Sequence, residues 1–228
     1  MTITTAARTA AAAPGRRVRR RQTERTALSD RRLVDAAIDL LVKHGVDGTT
    51  LQAVGEQAGY SRALATHRFG SKVGLFVRVM QEASADWVAR MHKAVGGKVG
   101  VEALCAATDA THRFIREQPN EVRVMYLLWF YSIDPAATFH WDIASVHRAQ
   151  RRDVDAWVRA GQRAGEIPAS ANPQRVAEQY CASMAGIAYQ WMANSEMPLA
   201  AMYGELKRNL RRSLQDPRAR CAARRPKH

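Results

Sequence analysis

Apolar positions recur along this chain at the three-to-four-residue spacing of helices. No run of any length alternates apolar and polar residues as a half-buried strand would. The first firm helix is predicted to begin at Ser29 or Asp30 and to run to His44. Leu33, Ala37, Leu40 and Leu41 form its buried face, and Gly45 ends it. Asp47-Gly48 turns the chain into Thr49. A short helix follows, with Thr50 as N-cap and Leu51, Val54 and Ala58 on one face. Gly55 sits in its middle, where Gly costs about 1 kcal/mol against Ala. The compensation is close approach by a second helix crossing there. Gly59 falls where a helix end wants positive φ. Ser61 is placed to cap a helix running to about Phe69. Ser71, after Gly70, is placed to cap a long helix to about Val95. This order of cap, small residue, Ala-Gly and cap describes a helix-turn-helix, a motif whose second helix enters a DNA major groove.

Beyond Gly96-Gly97 the pattern stays helical. One helix is predicted over Val101 to about Gln118, and the next over Glu121 to Ile133. The run Val124 to Tyr131 in the latter is apolar almost all round, so that helix is expected at the centre of the body. A long helix follows from about Ala136 to Ala164. Asn172-Pro173 opens another, to about Asn194. A last one spans about Pro198 to Leu214. Small residues at Ala177, Ala182, Ser183, Ala185, Gly186 and Ala188 permit close helix approach. The last two helices therefore suggest a helix-pair interface in a two-fold homodimer. The other reading is that they only finish the monomer's core.

Charge changes this picture by its placement. Of a net +14, residues 1–93 hold 16 basic against 8 acidic groups, residues 94–214 hold 14 against 12, and residues 215–228 hold 5 against 1. A basic end beside a nearly balanced body is the distribution expected when one end meets a polyanion. Residues 1–28, with five arginines between Arg16 and Arg21, are predicted to be a disordered arm. It either follows DNA phosphates or a minor groove, or is a solubilising tail. Residues 215–228 read as a basic tail. The alanine-rich N-terminus lacks the apolar stretch of a signal peptide, and no segment approaches 18 uninterrupted apolar residues. Cys105, Cys181 and Cys221 show no zinc-type spacing, so reduced thiols and a cytoplasmic setting are expected.

Within the short second helix of the motif, Arg62, Thr66, His67 and Arg68 supply donors suited to phosphates and base edges. Lys72 opposes the dipole of the helix it begins, which calls for an outside anion, and a phosphate fits. The bland alternative is a surface helical hairpin with solvated charge. The stretch TTLQAVGEQAGYSR, then HRFGSK, resembles the DNA-binding domain of TetR-family transcriptional regulators, from about Asp30 to about Met80. The resemblance implies phosphate contacts at Thr50 and Lys72, and base-edge contacts around Arg62, Ala63 and Leu64, with Ser61 at the helix start. Thr66 and His67 stand where the family often has two tyrosines, and Arg68 where it often has His.

In the body, Met125, Tyr126, Trp129, Phe130, Phe139 and Trp141 are candidates to line a ligand cavity between helices, or else to be core. His140 and His147 share a face of the predicted helix, but with His112 scattered elsewhere no third metal ligand is evident. No Gly-rich phosphate loop, HExxH or nucleophile elbow is found, so no cofactor, metal or catalytic residue is expected. The reading is an all-α protein. Residues 29–76 form a helix-turn-helix head, and residues 77–214 form a larger helical body for regulation and dimerisation. The expected function is a DNA-binding transcriptional regulator on a palindromic operator, a repressor released by a small-molecule effector. The competing readings are a basic nucleic-acid coating protein without operator choice, and, behind it, an all-helical enzyme.

Overall fold

Between Gly15 and Gly45 the sequence offers no helix breaker, and one helix, α1, covers Pro14–Gly48. The structure is a computed structural model that describes residues 14–215, with side chains described from Glu24 onward. The other helices among the described residues are α2 (Leu51–Gln57), α3 (Arg62–Phe69), α4 (Lys72–Val95), α5 (Gly100–Glu117), α6 (Pro119–Ile133), α7 (Ile143–Arg163), α8 (Pro173–Ala193) and α9 (Leu199–Gln215). No strand occurs among the described residues.

The start of α1 differs from expectation. Ser29 does not cap it: its Oγ donates to the Thr26 carbonyl at 2.8 Å, a bond made inside a running helix. Extending a helix on an existing nucleus is cheap, and nothing here interrupts it. Residues 14–28 of the expected disordered arm are therefore helical, while residues 1–13 and the tail from residue 216 lie outside the described residues. Gly45, with φ 69°, breaks the helical path where the sequence placed the end.

A second difference concerns the centre. The dense run of α6 leaves Phe130 and Ile133 exposed. The enclosed helix is α5, which α4, α6, α7 and α9 surround. Its small residues Ala103, Ala107 and Ala110, on one buried face, let neighbouring helices come close. A third concerns α7, which starts at Ile143 rather than Ala136. Asp142 accepts from the Ser145 N–H at 2.8 Å and sets that start. The segment before it is pulled over α4 by Phe139, whose ring meets Phe76 edge-on at 5.9 Å. His140 thus lies outside the helix that carries His147.

Two apolar cores result. One holds Leu33 and Leu41 of α1 with Phe76 of α4 and Phe114, Met125 and Leu128 of the body, so head and body share it. The other gathers Leu104, Val154, Val158, Tyr180 and Leu210. Tyr180 donates to the Leu104 carbonyl at 3.0 Å and meets Thr108 Oγ1 at 3.1 Å, which satisfies both buried hydroxyls.

Candidate nucleic-acid interface and ligand cavity

Three side-chain caps define the head. Thr50 accepts from the Ala53 N–H at 3.1 Å, Ser61 from Leu64 at 3.2 Å, and Ser71 from Gly74 at 3.1 Å. Between α2 and α3, Gly59 takes φ 77°, and the Tyr60 N–H returns to the Gly55 carbonyl at 2.8 Å. A Cβ on Gly55 would stand 3.0 Å from the Ser61 carbonyl carbon and 3.2 Å from the Arg62 nitrogen. The start of α3 therefore rests against bare backbone of α2, which is the close approach read from the sequence.

This seating divides α3 into two faces. Ala65 is fully buried against the head core. One turn on, Arg68 shares that inner side, and its Nε lies 3.0 Å from Asp30 Oδ1 with both side chains about three-quarters buried. The two atoms are not aligned as a hydrogen bond, so the pair is chiefly Coulombic. Arg68 thus ties α3 to α1 instead of facing outward with its neighbours. The outer face presents Arg62, Ala63, Thr66 and His67, all exposed, while Leu64 is half-buried. Thr50 and Ser61 are exposed, and each hydroxyl that accepts a backbone N–H keeps its own proton to donate. Lys72 Nζ donates to the Asp47 carbonyl at 3.3 Å, and also lies 5.8 Å from the Phe76 ring centre. A neutral carbonyl does not cancel its charge.

The body encloses a cavity of about 430 Å³ among α4, α5, α6, α7 and α8. Of the six aromatic and sulfur candidates, Met125, Tyr126 and Trp129 line it. Phe130 points out, edge-on to Tyr189 at 5.7 Å. Phe139 is buried against Phe76, and Trp141 stacks on Phe139 at 6.2 Å. The wall also uses Trp87 and Met91 of α4, Trp157 of α7, and Met184 of α8. Periodicity marks these as inward positions but does not say that the inward faces fail to meet. Tyr126 donates to the Ala185 carbonyl at 3.0 Å, and burial pushes its hydroxyl up to about 12. His147 packs edge-on to Trp129 at 5.7 Å. Burial first, then Arg151, lowers its pKa. Burial likewise raises the Cys181 thiol to about 11, so it stays protonated. No group of three His, Cys, Asp or Glu side chains is poised for a metal among the described residues. No helix among them is long and apolar enough to cross a membrane.

Residues 33–79 match the family described as bacterial regulatory proteins, tetR family. The chain is 34% identical over 67 residues to the HTH-type transcriptional regulator BetI of Burkholderia lata, covering 29% of this chain and 34% of that protein. It is 28% identical over 99 residues to BetI of Paraburkholderia phymatum, covering 43% of this chain and 50% of that one. These matches thus span a third to a half of the relatives' length. Over the whole fold it is similar to SmeT, the repressor of the Stenotrophomonas maltophilia multidrug efflux pump SmeDEF. The TM-score is 0.68 at 17% identity, over 83% of this chain and 91% of that one. The SmeT–triclosan complex matches with a TM-score of 0.67 at 18% identity, over 83% and 93%. Three capped helices build this head, the family match lies on it, and the body shares the fold of these structures. Together they lead to one conclusion: residues 33–79 form a domain of the kind found in bacterial regulatory proteins of the tetR family.

Proposed function

We propose that this chain is a cytoplasmic transcriptional repressor that binds a palindromic DNA operator as a homodimer and lets go when a small molecule fills the cavity of its body. The observation that carries the reading is the division of α3. Its inner side is sealed by Ala65 and the Arg68–Asp30 pair, while Arg62, Ala63, Thr66 and His67 stand clear on the other. A helix held this way inserts into a groove without rearrangement. Arg62 is assigned a base edge. Lys72 and the Thr50 and Ser61 hydroxyls are assigned phosphates, where they set register and orientation.

The homodimer is assigned to α8 and α9. Ala182 is exposed on α8, and nothing in the same chain lies within 4 Å of where a Cβ on Gly186 would sit. Another helix can therefore come close there. Release follows from α4, which begins at the head and supplies Trp87 and Met91 to the cavity wall. A ligand moves the equilibrium only by its differential affinity for the two head spacings, and about 1.4 kcal/mol changes DNA affinity about tenfold. SmeT, a protein of similar fold, forms a complex with the small molecule triclosan, which supports a small-molecule effector here.

Selection of bound fragments from random duplex DNA tests the reading. An inverted repeat is expected, its half-sites one helical turn or a multiple apart. Recovery of fragments with no shared sequence would overturn it.

A further inference from the structure

The cavity's lining is one-sided in its charge. Among the described residues that line it there is no lysine and no arginine. Asp153 and His92 lie at its rim, 3.9 Å apart and each more than half exposed. Deeper in, the titratable groups are His147, Cys181, Tyr126 and Tyr180, and burial favours the neutral form of every one. Both tyrosine hydroxyls already donate to backbone carbonyls, of Ala185 and Leu104. The nearest cation felt by these groups, Arg151, acts on His147 and Cys181 without lining the cavity. An anion of matching shape would therefore leave water with no lining cation to pair with, which costs more than aromatic contact returns. The largest side chains of the remaining wall are flat rings and thioethers, Trp87, Trp129 and Trp157 with Met91, Met125 and Met184, set among aliphatic residues and the polar Ser84, Thr111 and Gln150. Rings stack on or meet the edges of such faces, and methionine sulfur adapts to them.

Resting on the reading of this cavity as the effector site, we infer that its ligand is an uncharged, flat aromatic molecule of roughly two to three rings, gripped between tryptophan faces and methionine sulfurs, and that carboxylates and sulfonates of the same shape are rejected. The site therefore selects first by charge and flatness, and the buried Trp129 N–H, which meets no acceptor among the described residues, is a donor in the same wall. Ligands that share those two properties compete for it.

Two fluorescent probes separate the possibilities. N-phenyl-1-naphthylamine is neutral, and 8-anilino-1-naphthalenesulfonate carries the same ring skeleton plus one sulfonate. The full chain is titrated with each, and probe emission is followed on excitation of the tryptophans. The neutral probe is expected to saturate at one per chain and to bind at least about tenfold more tightly than the sulfonate. Ala149→Phe and Ala185→Phe each fill the cavity from a different helix. With helicity checked by circular dichroism, each is expected to weaken the neutral probe at least about tenfold. Sulfonate held outside, for instance in the basic groove of Arg90, Lys93 and Arg113, is left unchanged by them. Sulfonate binding as tight as the neutral probe's, and lost in the same two variants, would overturn the inference. Absence of neutral-probe binding, or binding that both variants leave intact, would do the same. If the neutral probe binds as expected yet never alters operator affinity, the ligand class stands and the release mechanism fails.

Discussion

Gly74 is the third residue of α4, a place where replacing Gly by Ala ordinarily favours a helix by about 1 kcal/mol. The structure reverses that sign. A Cβ there would lie 3.1 Å from the Phe69 carbonyl carbon and closer still to its oxygen. Phe69 is the last residue of α3, so the obstacle is backbone, which cannot swing aside as a side-chain tip does. Relief requires that carbonyl to withdraw by roughly an ångström. The same oxygen accepts the Ser71 N–H at 2.7 Å, and Ser71 in turn caps Gly74. Withdrawal therefore strains the joint between α3 and α4. Overpacking of this kind costs about 1–3 kcal/mol, so Gly74→Ala is expected to lose about 1 kcal/mol net and at most about 2. Urea unfolding followed by circular dichroism measures it. Operator affinity should fall with Gly74→Ala, since α3 is displaced. A Gly74→Ala protein that gains stability and binds DNA as before would refute the reasoning.

Arg68→Ala and Asp30→Ala should each destabilise the head, with a coupling of up to about 1 kcal/mol in a double-mutant cycle for this partly exposed pair; zero coupling would return Arg68 to the DNA contacts. Lys72→Ala is expected to weaken specific and random DNA alike and to flatten the salt dependence by about one unit. An unchanged slope in a salt titration would remove Lys72 from the phosphate contacts. Burial holds the pKa of both His112 and His147 below the ordinary value. As pH falls through about 6.5, the unfolded chain takes up protons that the folded chain resists, so stability is expected to decline from pH 7 to pH 5. Thermal melts across that range should show the decline, and His112→Gln with His147→Gln should reduce it; an identical decline in the double variant would assign it elsewhere.

The head was legible because its signals are local. A cap hydroxyl and the N–H it serves lie three residues apart, and the crossing that needs Gly55 bare involves Ser61, six residues on. The inward turn of Arg68 depends on Asp30, a partner 38 positions away, and no local rule supplies it. The same limit governed the body. Phe139 and Trp141 fit a cavity as well as a core by type, and contact with Phe76, 63 residues earlier, puts Phe139 in the core with Trp141 stacked on it. The break before α7 was hidden for that reason: residues 136–142 suit a helix, and burial of Phe139 overrides the local preference. Composition also misled about the centre. The most apolar stretch, in α6, exposes Phe130, while the Ala-rich α5 is enclosed by four helices, and its small side chains let neighbours come close.

Everything said of function depends on α3 reading sequence in paired heads. The most direct measurement is the ratio of affinities for the selected operator and for a scrambled duplex at physiological salt, for the native chain and for Arg62→Ala, together with the number of chains bound. A ratio on the order of 10³ or more is expected, with two chains on each operator and a smaller ratio in the variant. Equal affinity for both duplexes, unaltered by Arg62→Ala, would contradict it.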